Sequence, residues 1–193
     1  MKESYSKNYF EKYASLTISE LMHVEENKIV LSDRPDMYIP SLKWGIEVTQ
    51  ALTPEEAVAD IKKPLYTLLD LNPFDHNHDD IEHMLQKIDD AIKRKEGKSK
   101  HYESFLHNGL YIFTHCINLK SKDLKKYLEQ YSFQTNFYES LFFNCVSCVY
   151  EYHIATQELT CYQYSIKQLQ QMNKQSLEYE KTCQKKRRKI VVG

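Results

Sequence analysis

An α/β fold (grading into α+β), built as a central mixed sheet with flanking helices, is predicted by two features of this sequence. Short β-branched and aromatic runs around residues 29–31, 46–48 and 110–113 alternate with longer stretches whose apolar residues recur every three or four positions. These segments also interleave along the chain instead of grouping by type, which favours helices packed on a sheet. The length of 193 residues fits one domain, with a core over about residues 15–155 and a C-terminal helix and basic tail over about 163–193.

The elements follow in order. Residues 5 to 24 carry Tyr9, Phe10, Tyr13, Ala14, Leu21 and Met22 at helical spacing, as one helix or a broken pair. Residues 28–32 form a short strand, Pro35 interrupts, residues 36–39 resume, and Pro40-Ser41 turns the chain. Residues 44–50 alternate Ile46 and Val48 against Glu47 and Thr49, a strand with one apolar face that leaves the acidic residues away from the core. Thr53-Pro54-Glu55-Glu56 opens a helix with a capping box, which Pro64 kinks or ends, and residues 72–78 form a loop. A further helix spans residues 80 to 95 on Ile81, Met84, Leu85, Ile88 and Ile92, and Gly97 ends it.

Beyond that helix the pattern predicts a short helical piece at 102–106 and a buried strand at 109–113. A helix opens at Ser121 with Leu124, Tyr127, Leu128 and Tyr131 on one side. Residues 141 to 152 read as one strand, residues 158 to 164 either pair with it or start a helix, and a surface helix with a frayed basic end runs from Ser165.

Composition excludes several classes. With 41% hydrophobic and 27% charged residues the chain is not disordered. A net charge of −1 supplies no general attraction for nucleic acid, so such contacts need a local basic patch. No apolar run approaches the length of a membrane span and the N-terminus lacks a signal-peptide core, which predicts a cytoplasmic protein without a membrane partner. Five unevenly spaced cysteines suit reduced, buried thiols.

The chemistry centres on Asp36 and Glu47, eleven residues apart on either side of a turn and on strands that should pair. Two carboxylates brought together repel, and each has its pKa raised unless a cation intervenes. A hard divalent ion that keeps several waters suits such oxygen ligands, and it can activate a water against a phosphodiester. Acidic residues flanking a turn are, on spacing alone, more often simply solvated.

Arg34-Pro35-Asp36, a turn, and Gly45-Ile46-Glu47-Val48-Thr49 at the end of the next strand resemble the motif of the PD-(D/E)XK nuclease superfamily. The helix before and the helix and strand after match its αβββαβ restriction-endonuclease-like core, and the run from Lys93 to Tyr102 is similar to uncharacterised bacterial members. The likeness covers about residues 15 to 115. It implies a Mg²⁺ (or Mn²⁺) held by Asp36 and Glu47 with the backbone carbonyl of Val48, and an acidic residue on the first helix. Glu20 takes that last role, with Glu25 or Glu26 as weaker candidates. The implied activity is phosphodiester hydrolysis, on DNA ahead of RNA.

One departure from that pattern stands out. Where the superfamily has a lysine two places after the glutamate, this chain has Thr49, followed by Gln50. Lys43 shares a strand face with Glu47 but starts about 13 Å away. Lys95 or Lys98, from the end of the following helix, is the better substitute. Lys93, Arg94, Lys95, Lys98 and Lys100 also make a basic patch for nucleic-acid phosphates, or else a solvated helix end that suits the helix dipole.

Other constellations carry less. His76 and His78 could bind a transition metal, but loop histidines beside Asp79 and Asp80 fit a helix cap better. Cys145 and Cys148 have zinc spacing without a second pair, and on a strand their sulfurs would point to opposite faces. A protein that keeps the fold but only binds nucleic acid or protein is the alternative to a nuclease; a homodimer is left open.

Overall fold

The computed structural model describes residues 7–53, 55–56, 80–130 and 137–192, with side chains through residue 186. The helix start at Thr53 lies partly outside this set. So do Pro64, Tyr131 and the loop carrying His76 and His78.

The fold is mixed α/β, a seven-stranded mixed sheet with four long helices among the described residues. Helix α1 (Lys7–Leu21) leads into strands β1 (Val30–Leu31), β2 (Met37–Ile39) and β3 (Trp44–Gln50). Helix α2 (Ile81–Glu96), strand β4 (His107–Phe113), helix α3 (Ser121–Gln130) and strand β5 (Ser140–Asn144) follow. Strands β6 (Cys148–His153) and β7 (Glu158–Gln163) and helix α4 (Ile166–Val192) complete the chain. The strands lie side by side in chain order. The first three pair antiparallel, β3, β4 and β5 run parallel, and β5, β6 and β7 are antiparallel again. Each parallel pair requires a crossover, and α2 and α3 lie in the two crossovers.

Both faces of the central strands are covered, which corrects the expectation of one apolar and one wet face for β3. Ile46 and Tyr111 pack with Tyr13, Ala14 and Ile18 of α1 and with Met172 and Leu177 of α4. On the opposite face Leu110, Ile112 and Phe143 pack with Met84, Ile88 and Ile92 of α2. Parallel strands buried on both faces read as near-continuous apolar runs, as Leu110 to Phe113 does. Glu47 therefore lies under α2 and not in water.

Four further expectations are corrected. Residues 141 to 152 are two strands, because the chain turns at Val146 (φ 66°) and Asn144 Oδ1 accepts the Val146 amide at 3.0 Å. Cys145 and Cys148 consequently join the same apolar cluster instead of facing apart. Helical turns occur at Ser99–His101, not at 102–106. Helix α4 continues to Val192 and buries one side, including Leu169, Met172 and Leu177, against α1 and the sheet.

Other expectations are met. Residues 158–163 pair with β6 as a strand. The capping box is formed, Thr53 N donating to Glu56 Oε2 at 2.8 Å and Glu56 N to Thr53 Oγ1 at 3.2 Å. Asp80 caps α2, its carboxylate accepting the His83 amide at 2.8 Å. Among the described residues, no helix is long and apolar enough to cross a membrane.

Two glycines let rings lie directly on strand backbone. A Cβ on Gly45 would overlap the Phe105 ring, which also packs on Tyr38 with centroids 4.9 Å apart. A Cβ on Gly109 would stand 2.9 Å from Phe142 and 3.1 Å from Trp44.

Candidate functional site

The site arises where one strand outruns its neighbour. Strand β2 pairs with β3 only from Trp44 to Ile46, so the second half of β3 has no strand partner on that edge among the described residues. The Val48 amide, otherwise an orphan donor, donates to Asp36 Oδ2 at 2.7 Å. Asp36 thereby sits at the sheet margin, within reach of helices on both faces.

From the α2 side comes Lys95. Its Nζ lies 2.7 Å from Glu47 Oε2 and 3.4 Å from Asp36 Oδ2, so one ammonium spans both carboxylates. From the α1 side comes Lys7, whose Nζ lies 3.0 Å from Asp36 Oδ1 and 3.1 Å from Glu11 Oε1. It also reaches the exposed Asp33 at 3.3 Å. Asp36, Glu47 and Glu11 are only 3%, 5% and 7% exposed. Glu47 Oε1 is buried without a hydrogen-bond partner among the described residues.

Burial and charge pull these groups apart. Burial alone would raise Asp36, but Lys95, the Val48 amide and Lys7 outweigh it and hold the carboxyl below its ordinary value. Glu47 is raised, because burial is only partly offset by Lys95 and the neighbouring Asp36 charge adds to it. For Lys95, burial opposes the charged form, yet the two carboxylates prevail and the pKa is raised. Burial and then the Asp36 charge lift Glu11 to about 8, despite Lys7.

Among the described residues, no three His, Cys, Asp or Glu side chains form a ready-made metal cage. Mg²⁺ does not require one, because it commonly binds through one or two carboxylates and keeps the rest of its shell as water. The donors here are hard oxygens, and the orphaned Glu47 Oε1 is an acceptor without a donor. These residues fit a hard divalent ion. They do not fit a soft metal.

The structure brings together Asp36, Glu47, Val48 and Lys95 and leaves other candidates aside. Glu20 is exposed near the far end of α1. It lies nine residues after Glu11, about two and a half turns, and so points to the opposite side of the helix. The acidic residue that α1 supplies is Glu11. It continues the buried stripe of Ala14, Ile18 and Leu21. Glu25 is exposed, and Glu26 pairs with Lys12.

At the lysine position, Thr49 Oγ1 accepts from Arg94 Nη2 at 3.2 Å, and the same guanidinium donates to the Gln50 carbonyl at 3.1 Å. Gln50 Oε1 lies 3.1 Å from His115 Nε2. Lys43, exposed in the β2–β3 turn, is not drawn in. Lys93 pairs with Asp89 at 2.6 Å, while Lys98 and Lys100 are exposed beyond the end of α2. Tyr102, which sequence reasoning did not assign to the site, lies under Lys95 with the ammonium 5.7 Å from its ring centroid.

No protein-family description matches this chain, and neither the curated proteins nor the solved structures contain a significant match to it.

Proposed function

We propose that this chain is a metal-dependent nuclease-like protein of the PD-(D/E)XK type, hydrolysing phosphodiester bonds in DNA. The observation that carries the reading is the Lys95 ammonium bridging Asp36 and Glu47. A lysine delivered by the helix end stands in for the strand lysine that Thr49 replaces. The order α1–β1–β2–β3–α2–β4, with β4 parallel to β3, supports the αβββαβ restriction-endonuclease-like core.

In this reading Asp36 and Glu47 hold Mg²⁺ or Mn²⁺, and Glu11 completes the acidic set. The bound ion supplies charge neutralisation at the phosphate and a more acidic water. An ammonium has three donors. Lys95 directs two at the carboxylates and keeps one with which to orient an attacking water. Exposed Lys98 and Lys100, with Lys93 and Arg94 beside them, contact backbone phosphates.

The test is cleavage of plasmid DNA in Mg²⁺ or Mn²⁺ by the wild type, Asp36→Ala and Glu47→Ala. Cleavage by the wild type alone supports the reading; no cleavage, or equal cleavage by all three, defeats it.

A second reading is a non-catalytic binding module with this fold. It is favoured by Thr49 at the lysine position and by the charge balance of Asp36 and Glu47 against Lys7 and Lys95. Calorimetric titration with Mn²⁺ separates the two, since the module binds no ion.

A further inference from the structure

Each carboxylate of the central pair has two oxygens, and three of the four are in use. Asp36 Oδ2 accepts the Val48 amide and faces Lys95, while Glu47 Oε2 faces Lys95 at closer range. The oxygens left by these contacts are Glu47 Oε1, which has no hydrogen-bond partner among the described residues, and Asp36 Oδ1, on which Lys7 sits at 3.0 Å. Lys7 differs from Lys95 in its setting. Its side chain is 55% exposed, against 16% for Lys95, and it occupies the first turn of α1.

We propose that Lys7 is a resident counter-cation which competes with the divalent ion for Asp36 Oδ1, so that the first turn of α1 sets the metal affinity of the site. The inference rests on the metal-centre reading above. Ammonium and metal ion need the same oxygen and repel each other, so the ion binds only once the Lys7 side chain swings out. Its exposed side chain lets the ammonium leave into water, while the arriving ion takes over the neutralisation of the buried Asp36 carboxylate, which is therefore not stranded. Glu11 Oε1, 3.1 Å from the same ammonium, is released by the same motion. Lys95 stays in place, because its carboxylate oxygens are not the ones vacated.

The experiment is Mn²⁺ binding, followed by calorimetry and by the loss of the free-ion paramagnetic resonance signal, at low ionic strength and fixed pH. Wild type is compared with Lys7→Met, which keeps the aliphatic stem, and Lys7→Arg, which keeps the charge; thermal melts confirm that each is folded. The expected result is Mn²⁺ affinity about three- to tenfold tighter in Lys7→Met, since a competing ion pair and a like-charge repulsion are removed. Lys7→Arg stays close to wild type. Equal or weaker binding by Lys7→Met, with the wild type binding normally, overturns the competition and leaves the metal centre standing. No binding by any of the three removes the metal centre and the competition together.

Discussion

Lys95 and Glu47 lie 48 residues apart in the chain, yet Nζ and Oε2 stand 2.7 Å from each other in a setting largely closed to water. Removing one member of such a pair strands the other charge, at a cost of about 3–5 kcal/mol. Lys95→Met is expected to abolish DNA cleavage and to lower the urea midpoint. The double variant Lys95→Met/Glu47→Gln should regain most of the stability and none of the activity. Equal stability of the single and double variants would show that the pair is not coupled.

The two acidic residues of α1 make a direct contrast. Glu11→Gln is expected to weaken Mn²⁺ binding and cleavage, because the residue beside Asp36 can then no longer give up its proton to face the ion. Glu20→Gln should leave both at wild-type values, since Glu20 faces away from the site. The reverse pattern in a calorimetric titration would remove Glu11 from the acidic set.

Stability in metal-free solution should depend on pH with a sign that Glu11 determines. Its carboxyl is lifted to about 8 in the fold, against roughly 4.3 in an unfolded chain. The folded state holds the proton more tightly, so stability falls as pH rises through that window. Asp36 acts oppositely, its contribution being present above about pH 4 and lost on further acidification. Urea midpoints are expected to decline from about pH 4 to 8 for the wild type, to level off above that, and to decline less steeply for Glu11→Gln, in which the raised Glu47 remains. An unchanged slope in the variant would assign the effect to another group.

Gly45→Ala should destabilise the fold without touching a charged group. The added methyl would overlap the Phe105 ring, whose backbone amide donates to Asn108 Oδ1 at 3.0 Å and which is packed against Tyr38. Overpacking of this kind costs about 1–3 kcal/mol. A lower denaturant midpoint with an unchanged m-value is the expected result.

For nucleic-acid binding the informative variants are Lys98→Ala and Lys100→Ala. If each contacts a phosphate of duplex DNA, each should reduce the slope of log affinity against log salt by about one. Lys93→Ala should do less, because its ammonium already faces Asp89 at 2.6 Å. Anisotropy titrations of labelled DNA at several salt concentrations measure this, and three identical slopes would exclude the helix end from the interface.

Much of this arrangement is legible in the chain because local chemistry dictates it. Asp36 and Glu47 flank a Pro- and Gly-marked turn, and the period of α2 places Lys95 at its end. Other parts follow from long-range packing, which spacing does not encode. Alternation along β3 reads as one dry and one wet face, and it is α2, arriving more than thirty residues later, that brings Lys95 over Glu47. The choice of Glu11 over Glu20 depends on which stripe of α1 meets the sheet. The turn at residues 145–147 has no Gly or Pro to announce it. Its one local cue is Asn144, a residue type that bonds its own backbone two positions on.

The short β2 has a consequence beyond its length. Because it stops at the level of Ile46, the acidic site takes side chains from α1, which belongs to one apolar layer, and from α2, which belongs to the other. The site therefore acts as a coincidence detector for the assembly of the whole sandwich. It is complete only while both layers are docked at once, so a change as remote as Ile18→Ala or Ile92→Ala weakens the support of the constellation without altering any of its members.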